Sequence, residues 1–292
     1  MIVMVTGASG LLGMEMADLF ERQGHEVIRL NGHTQLDLRE REPVLRFVEE
    51  VRPDVIVHTA AIKNVDEAEK DPQGTYLTNT TATANVAMAA SNVGAKMVYI
   101  STDAVFDGEK NSPYVESDPT GPINVYGASK LAGEQRVKEL CERHFIVRTG
   151  LLFGLKGRPE TNMALNLLNR WRKGERVPAA VNQACSNTYT LDLARAVEIM
   201  TDTECYGTYH ICNKGQASRY EFYTRLCTLA GYSAELVEPA QAAAIRVARR
   251  HKNTAMSCAL YERTFNDEMS DWQDAAARFI QEYKREYLHE ED

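Results

Sequence analysis

The sequence has few of the features that mark secreted, membrane or nucleic-acid-binding proteins. Its six cysteines form no C-x-x-C pair, which predicts reduced thiols and a cytoplasmic location. No apolar run approaches the ~18 residues of a membrane span, and the N-terminus lacks the charged stretch of a signal peptide, so we expect neither. The chain has 33 lysines and arginines and 41 aspartates and glutamates. The resulting net charge of −8 argues against nucleic acids and anionic membranes as partners.

The composition that is present is that of a globular protein with a sizeable core. Of 292 residues, 44% are hydrophobic and 25% are charged, which excludes global disorder. This length suits one large domain or two unequal ones. The seven histidines show no ligand spacing such as H-E-x-x-H, so we expect no catalytic metal.

Short apolar runs alternate with amphipathic segments through the first half of the chain. The pattern predicts strands at 2–5, 26–30, 54–60, 96–102 and 145–150, and helices at 11–23, 43–51, 75–93 and 124–141. This alternation predicts an α/β fold with a doubly wound parallel sheet. A further short strand is expected at 34–37.

The alternation loosens after about residue 150, where we expect a second and smaller region. Near its end, Ser270 and Gln273 have the spacing of a capping box that would start a helix. The apolar face of that helix would consist of Trp272, Ala276, Phe279, Tyr283 and Tyr287.

The strongest motif is the glycine-rich stretch VTGASGLLG at residues 5–13. Gly7, Gly10 and Gly13 follow the first strand directly and open the first helix. A dinucleotide pyrophosphate needs close backbone approach and free N–H groups at this point of the fold. The stretch therefore predicts a Rossmann-type domain over residues 1–150, with a substrate-binding region over 151–292 whose segments partly return to the first domain.

A threonine, a tyrosine and a lysine follow at positions suited to one crevice. Thr102 ends the strand KMVYIST, and open α/β sheets bind ligands at the carboxyl ends of their strands. Tyr126 and Lys130 in VYGASK lie four residues apart on a predicted helix, and therefore on one face. Taken alone, Thr102 would more often belong to a turn, and Tyr126 and Lys130 would more often be an ordinary pair on a helix. The motifs around them favour a catalytic group instead.

The chain resembles the extended short-chain dehydrogenase/reductases, and within them the dTDP-4-dehydrorhamnose reductases. The resemblance rests on TGASGLLG, RPDVIVHTAA, VDEAE, STDAVFDG, YGASKLAGE, VRTGLLFG, NQACSNTYTLDLA and RRHKNTAM, in the family's order. It covers most of the chain. It implies transfer of a hydride from NADPH, with NADH as the alternative, to the C4 ketone of a deoxythymidine-diphospho sugar.

The chemistry of ketone reduction assigns roles to the three residues. A developing alkoxide needs a proton, and a phenol with a pKa near ~10 is a poor acid unless a cation stabilises its phenolate. We therefore expect Tyr126 to donate the proton, Lys130 to lower the pKa of Tyr126 and hold the nicotinamide ribose, and Thr102 to bond the carbonyl oxygen.

The resemblance extends these expectations to further positions. The expected cofactor-binding residues are Gly7, Ser9, Gly10, Leu11, Leu12, Gly13, Arg29, Asn31, Asp37, Leu38, Ala60, Ala61, Lys63, Tyr126 and Lys130. The expected substrate-binding residues are Thr102, Asp103, Leu151, Asn162 and Arg250. The expected partner is a nucleotide-sugar substrate. The sequence leaves open whether two copies of the chain form a homodimer.

Departures from the family pattern cluster in the substrate region. Leu151 stands where the family has a tryptophan near the sugar, so we expect a roomier and less selective pocket. Asn182 and Asn187 replace an aspartate and a proline, and His251 replaces a proline. These changes put the identity of the sugar in question and leave the reaction type unchanged.

Two groups of charged residues have open roles. Arg246, Arg249, Arg250, His251 and Lys252 form a basic cluster that is either a grip for the substrate's diphosphate or a solvated helix end. Asp66, Glu67 and Glu69 are expected to be the acidic start of a helix rather than metal ligands.

Two alternatives to a reductase remain. One is an epimerase or dehydratase on the same fold, although Ala104 stands where dehydratases carry a glutamate after the active-site Thr-Asp pair. The other is a non-catalytic regulatory subunit that binds a dinucleotide, against which the intact Thr102, Tyr126 and Lys130 count.

The end of the second strand predicts the choice of cofactor. An acidic residue at this point bonds the ribose 2′-hydroxyl and repels a 2′-phosphate. The stretch EVIRLNG has the neutral Asn31 there, with Arg29 on the same face of the strand. Arg29 would then reach the phosphate of NADPH, or else point to solvent while Asn31 makes the turn.

We therefore expect NADPH to be used at least as well as NADH. Asn31→Asp should shift the preference toward NADH by ~1–2 kcal/mol, because a carboxylate repels the 2′-phosphate. Comparing kcat/KM for the two cofactors measures this, with the neutral Asn31→Ser as control. An unmutated protein that uses NADH about tenfold better than NADPH would contradict the prediction.

Overall fold

The computed structural model describes residues 1–241 and 247–288 of the chain. Within these ranges the strands are β1 Ile2–Thr6, β2 Glu26–Leu30, β3 Val55–His58, β4 Lys96–Thr102, β5 His144–Thr149, β6 Leu151–Phe153, β7 Val177–Ala180, β8 Ala184–Cys185, β9 Asn187–Tyr189, β10 Gly207–His210, β11 Ala217–Ser218, β12 Val237–Ala240 and β13 Asn253–Thr254. The helices are α1 Leu11–Arg22, α2 Arg41–Val51, α3 Val65–Lys70, α4 Pro72–Tyr76, α5 Ala82–Val93, α6 Val125–Leu140, α7 Met163–Arg172, α8 Thr190–Thr201, α9 Arg219–Leu229, α10 Ala259–Phe265 and α11 Trp272–Tyr283.

Six parallel strands form the central sheet in the order β10-β5-β4-β3-β1-β2. The chain runs outward from β1 to β2 and then crosses to β3 on the other side of β1, so the strand order reverses between β1 and β3. In doubly wound folds the ligand crevice lies at that reversal, outside the carboxyl ends of the strands. The predicted fold class is confirmed.

Helices cover both faces of this sheet. On one face α1 and α8 pack through Met16, Phe20 and Val197. On the other, α2, α5 and α6 bury Val48 and Val137, among others. A strand that is covered on both faces has a nearly continuous run of apolar residues, as β3 and β4 do.

A second hydrophobic cluster lies in the chain after residue 150. It joins α7, α9 and α11 through Trp171, Phe222 and Phe279, and includes the strand pairs β6–β9 and β7–β12. β10 belongs instead to the central sheet, where it lies beside β5. A third small sheet, in the order β11-β8-β13, lies beside the ligand crevice.

Three sequence-based predictions of secondary structure were wrong. Residues 34–37, expected to be a short strand, form a turn followed by an irregular segment, because the side chain of Gln35 accepts a bond from the Asn31 amide and Asp37 bonds to Arg39. The helix predicted from Pro43 begins two residues earlier. The helix predicted over 75–93 is interrupted by a π-helical turn at Leu77–Thr81.

The predicted capping box near the C-terminus was also wrong. α11 begins at Trp272 after Asp271, while the Ser270 hydroxyl bonds to Asp192 and Arg278 instead. Its apolar face is buried as expected except at Tyr287, which is 47% exposed. Tyr287 lies in a π-helical turn at 284–288, where its ring stacks on that of Tyr283 at 5.3 Å.

A close approach between α6 and β4 predicts the effect of a small substitution at Gly133. A Cβ at Gly133 on α6 would lie 2.2 Å from the Tyr99 hydroxyl and 2.8 Å from the Asn79 carbonyl oxygen. Gly133→Ala should therefore lower the free energy of unfolding by about 1 kcal/mol or more, although alanine is the better helix former by about the same amount. Urea unfolding measures this, and Gln135→Ala on the exposed face of α6 should be neutral or stabilising. If Gly133→Ala instead raised the free energy of unfolding, the Tyr99 hydroxyl and the Asn79 carbonyl would have moved aside without cost.

Candidate active site

A cavity of about 630 Å³ opens where the strand order reverses. Its walls come from the carboxyl ends of β1, β3, β4 and β5, and from β8, β13 and the start of α9. One half is therefore formed by the central sheet and the other by the chain after residue 150. Sequence motifs separated by more than 200 residues meet in this cavity.

The glycine turn after β1 forms the first half of the cavity. Gly7 has φ +67°, and a Cβ there would lie 2.9 Å from the Ala60 amide nitrogen. A Cβ on Gly13 would lie 2.2 Å from the Gly7 carbonyl oxygen, so only glycine lets α1 start this close to the turn. Gly10 precedes α1 without a side-chain cap, which leaves the first turn of the helix open to a ligand.

The threonine, tyrosine and lysine predicted to be catalytic all line this cavity. Thr102 ends β4 in register with Thr149 of β5. Tyr126 lies in the first turn of α6, which begins after Asn124 because the Asn124 side chain accepts a bond of 2.8 Å from the Gly127 amide. Lys130 follows one turn later, with its Nζ 4.1 Å from the centroid of the Tyr99 ring.

Burial dominates the acid–base properties of the pair. It raises the pKa of Tyr126 to about 12, although a hydrogen bond with Thr102 opposes the rise and Asp103 adds to it. Burial also lowers the pKa of Lys130 to about 7, and Glu134 opposes that fall. The expected lowering of the Tyr126 pKa is therefore not seen, because the loss of hydration outweighs the opposing hydrogen bond with Thr102.

A buried ion pair joins α6, the helix that carries Tyr126 and Lys130, to the central sheet. Arg148 on β5 donates to both carboxylate oxygens of Glu134 on α6, at 2.9 and 2.7 Å. The Ser101 hydroxyl donates to the same carboxylate at 2.5 Å. These bonds tie α6 to β4 and β5.

Asp103 lies beside Thr102 in the wall of the cavity. Burial raises the pKa of its carboxyl, while a hydrogen bond from Thr254 and the nearby His251 oppose the rise. The Thr254 hydroxyl donates to Asp103 at 2.5 Å, and Thr102 donates at 3.1 Å. Asp103 thereby connects the end of β4 to β13.

The cavity brings together most of the residues that the sequence predicted. Those that line it are Gly7, Ser9, Gly10, Leu11, Leu12, Gly13, Ala60, Ala61, Lys63, Thr102, Asp103, Tyr126, Lys130, Leu151 and Arg250. Arg29, Asn31, Asp37, Leu38 and Asn162 lie outside the lining.

Arg29, expected to reach a 2′-phosphate, has protein partners in this structure. Its guanidinium bonds to Glu21 at 2.9 and 2.7 Å and to Asp18 at 2.7 Å, both on α1. Its Nε and one terminal nitrogen are therefore used by two carboxylates of α1, and its role toward a 2′-phosphate stays a prediction. Asn31 lies next to Gly32, which does line the cavity, so its expected effect on cofactor choice stays a prediction.

Asp37, Leu38 and Asn162 have structural partners instead. Asp37 forms an ion pair with Arg39 at 2.6 Å, which lowers the pKa of its carboxyl to about 2. The Leu38 carbonyl accepts from the Asn85 side chain. Asn162 caps α7, and its amide group donates to the carbonyls at positions 154 and 156, so its hydrogen-bonding groups are used within the fold.

The basic cluster at 246–252 divides in the structure. Arg250 lines the cavity and pairs with Asp66 at 2.8 Å, whereas Lys252 pairs with Glu109 away from it. Arg246 lies outside the described residues. Asp66 and Glu67 lie in the first turn of α3, as expected from their acidic character.

Sequence reasoning missed several residues in the second half of the cavity. They are Met163, Gln183, Cys185, Arg219 and Thr254. Thr254 lies in the motif RRHKNTAM, which the family resemblance had already identified. Its place in the site could therefore have been predicted from the sequence. Arg219 follows Ser218 in a capping-box sequence, and a cation at the first position of a helix is unusual.

Two further findings bear on the class of protein. In the described ranges, no three histidine, cysteine or acidic side chains are grouped as metal ligands would be. None of the helices described is both long and apolar enough to span a bilayer.

Comparisons with known proteins agree with this geometry. A protein named dTDP-4-dehydrorhamnose reductase from Burkholderia thailandensis is 32% identical over 97% of this chain and 99% of its own length. The spore coat polysaccharide biosynthesis protein SpsK of Bacillus subtilis is 34% identical over 78% and 79%. The crystal structure of dTDP-4-dehydrorhamnose reductase from Bacillus anthracis, in complex with NADP, superposes with a TM-score of 0.91, 35% identity, and coverage of 96% and 99%.

The fold and the cavity define an extended short-chain dehydrogenase/reductase, a class of NAD(P)-dependent oxidoreductases. Residues 1–285 match the family model described as RmlD substrate binding domain, and the chain belongs to that family. The family resemblance predicted from the sequence motifs is confirmed.

The low pKa of Lys130 predicts how activity varies with pH. Because the cationic form is lost as pH rises through about 7, kcat/KM for ketone reduction should fall above that pH by up to about tenfold per unit. Lys130→Met should be slow and show no such fall between pH 6 and 9. A wild-type profile that is flat to pH 9 would mean that Lys130 keeps its proton in the working enzyme.

Proposed function

We propose that this chain reduces the C4 ketone of a deoxythymidine-diphospho deoxysugar, dTDP-4-dehydrorhamnose, to the rhamnose product with NADPH. One observation carries the proposal: Thr102, Tyr126 and Lys130 line the same cavity as the glycine turn that suits a dinucleotide. The names of the relatives support it, since each refers to this reduction or to polysaccharide biosynthesis.

The glycine turn fits the pyrophosphate of the cofactor. Cβ atoms at Gly7 and Gly13 would fill the space that a close backbone approach needs. The prediction of NADP agrees with the cofactor of the Bacillus anthracis neighbour. When bound, the cofactor supplies the hydride that is added to the ketone carbon.

The residues of this chain move the proton. Tyr126 is placed to protonate the developing alkoxide, and Thr102 bonds the same oxygen. A pKa of about 12 leaves Tyr126 protonated at pH 7, ready to donate. Lys130 lies one turn away, and its charge favours the phenolate that remains after the transfer.

The second half of the cavity would hold the sugar nucleotide. Leu151 lines it and is partly buried, in agreement with a pocket that is roomier than one with tryptophan there. We propose that residues 1–150 bind the dinucleotide and that 151–292 supply the substrate-binding region. We further propose that the protein works in the cytoplasm, with a homodimer as its assembly.

The alternatives make different demands on the site. An epimerase would require the reduced cofactor to return its hydride to the same sugar, with no net oxidation of NADPH. A regulatory subunit would bind the dinucleotide without turnover. The alanine at position 104 disfavours a dehydratase.

An NADPH-oxidation assay against a small panel of nucleotide-linked 4-keto sugars tests the proposal. Stoichiometric oxidation with the 6-deoxy-4-keto-L-sugar of dTDP would support a reductase. Sugar interconversion without net oxidation would support the epimerase, and binding without turnover the regulatory subunit.

Removal of the Tyr126 hydroxyl should abolish most turnover. Tyr126→Phe removes the proton donor and should lower kcat by roughly 10² or more, while the Kd for NADPH changes little. The exposed Tyr287→Phe serves as a matched control and should keep full activity. Near-normal turnover of Tyr126→Phe would rule out this residue as the acid.

A further inference from the structure

Within the described part of the chain, one arginine in the second half of the cavity forms no ion pair. Arg219 is the first residue of α9 and lines the cavity beside Cys185. Its guanidinium makes two long contacts, 3.5 Å to the Tyr223 hydroxyl and 3.8 Å to the Met163 sulfur. Among the described residues no carboxylate forms an ion pair with it within 4.0 Å.

The surroundings of Arg219 make this arrangement costly. A partly buried cation with no ion pair within 4.0 Å among the described residues loses hydration, and the dipole of α9 disfavours positive charge at the first helical position; the charge of Asp103 favours the guanidinium without contacting it. The acidic residue of the same turn, Glu221, does not compensate, because its carboxylate accepts from the Ser218 amide at 2.7 Å and hydroxyl at 2.8 Å.

The other arginines near the cavity are paired. Arg250 bonds to Asp66 at 2.8 Å, and Arg148 bonds to Glu134. Arg219 therefore keeps most of its five N–H donors for a ligand. Its position also places positive charge near the catalytic strand, since its charge opposes the raised pKa of both Asp103 and Cys185.

The substrate class of the proposed function offers one anionic group, the diphosphate that joins the nucleoside to the sugar. A guanidinium matches phosphate oxygens in a planar, two-point geometry. We propose that Arg219 binds the diphosphate of the nucleotide sugar. This inference rests on the proposed function for the identity of the ligand.

Equilibrium binding tests the inference without requiring turnover. The full-length protein is saturated with NADP⁺, so that the glycine turn is occupied, and is titrated with dTDP and with thymidine by calorimetry. Arg219→Met, which keeps an unbranched apolar stem, should weaken dTDP binding at least about tenfold and leave thymidine binding unchanged. Arg225→Met, exposed on the same helix, is the matched control and should bind both ligands as the wild type does.

Two further measurements cover a variant that fails to fold. Arg219→Lys keeps the charge and loses the two-point geometry, so its affinity for dTDP should be intermediate. Inorganic pyrophosphate should displace dTDP from the wild-type protein.

In turnover, the KM for the nucleotide sugar should rise in Arg219→Met while kcat and the KM for NADPH stay near the wild-type values.

Several results would overturn the inference. They are an unchanged affinity of Arg219→Met for dTDP, an equal loss of dTDP and thymidine binding, and failure of pyrophosphate to compete. A wild-type protein that binds dTDP but oxidises no NADPH with any sugar would contradict the proposed function alone, and the dTDP titration of Arg219→Met would still decide the role of Arg219.

Discussion

The ion pair between Glu134 and Arg148 holds α6, which carries Tyr126 and Lys130, against the central sheet. Both side chains are almost fully buried, at 1% and 4% exposure, so removal of one partner would leave an uncompensated charge in the core at a cost of about 3–5 kcal/mol. Ser101 adds a third bond to the same carboxylate. Because these contacts fix α6 against β4 and β5, Tyr126 at the start of the helix faces the same cavity as the end of β4.

Close backbone approach shapes the other side of the cavity. The turn after β1 and the end of β3 lie so near each other that a Cβ at Gly7 would contact Ala60. The gap between β1 and β3 is the point at which the strand order reverses, so the topology and the glycines act together. A dinucleotide at the turn and a sugar beyond Tyr126 would then share one enclosed space.

Charge pairing separates structural from ligand-binding arginines in this protein. Arg29 belongs to the dinucleotide-binding half by sequence, yet Asp18 and Glu21 hold its guanidinium on α1. Arg219 belongs to no recognised motif, yet it lines the cavity without an ion-pair partner among the described residues. The position of a residue along a strand shows which face of the sheet its side chain occupies. Whether its hydrogen-bond donors are available to a ligand depends on neighbouring residues from other elements.

Local patterns determined the parallel sheet, the glycine turn and the grouping of Thr102, Tyr126 and Lys130, because period, spacing and strand ends are properties of short stretches. Local patterns failed where a side chain had a competing partner. Ser270 bonds to Asp192, 78 residues away, instead of capping α11. Only the tertiary structure decided the acid–base state of Lys130 and the placement of Arg219, because burial and ion pairing depend on segments that meet only in the folded chain.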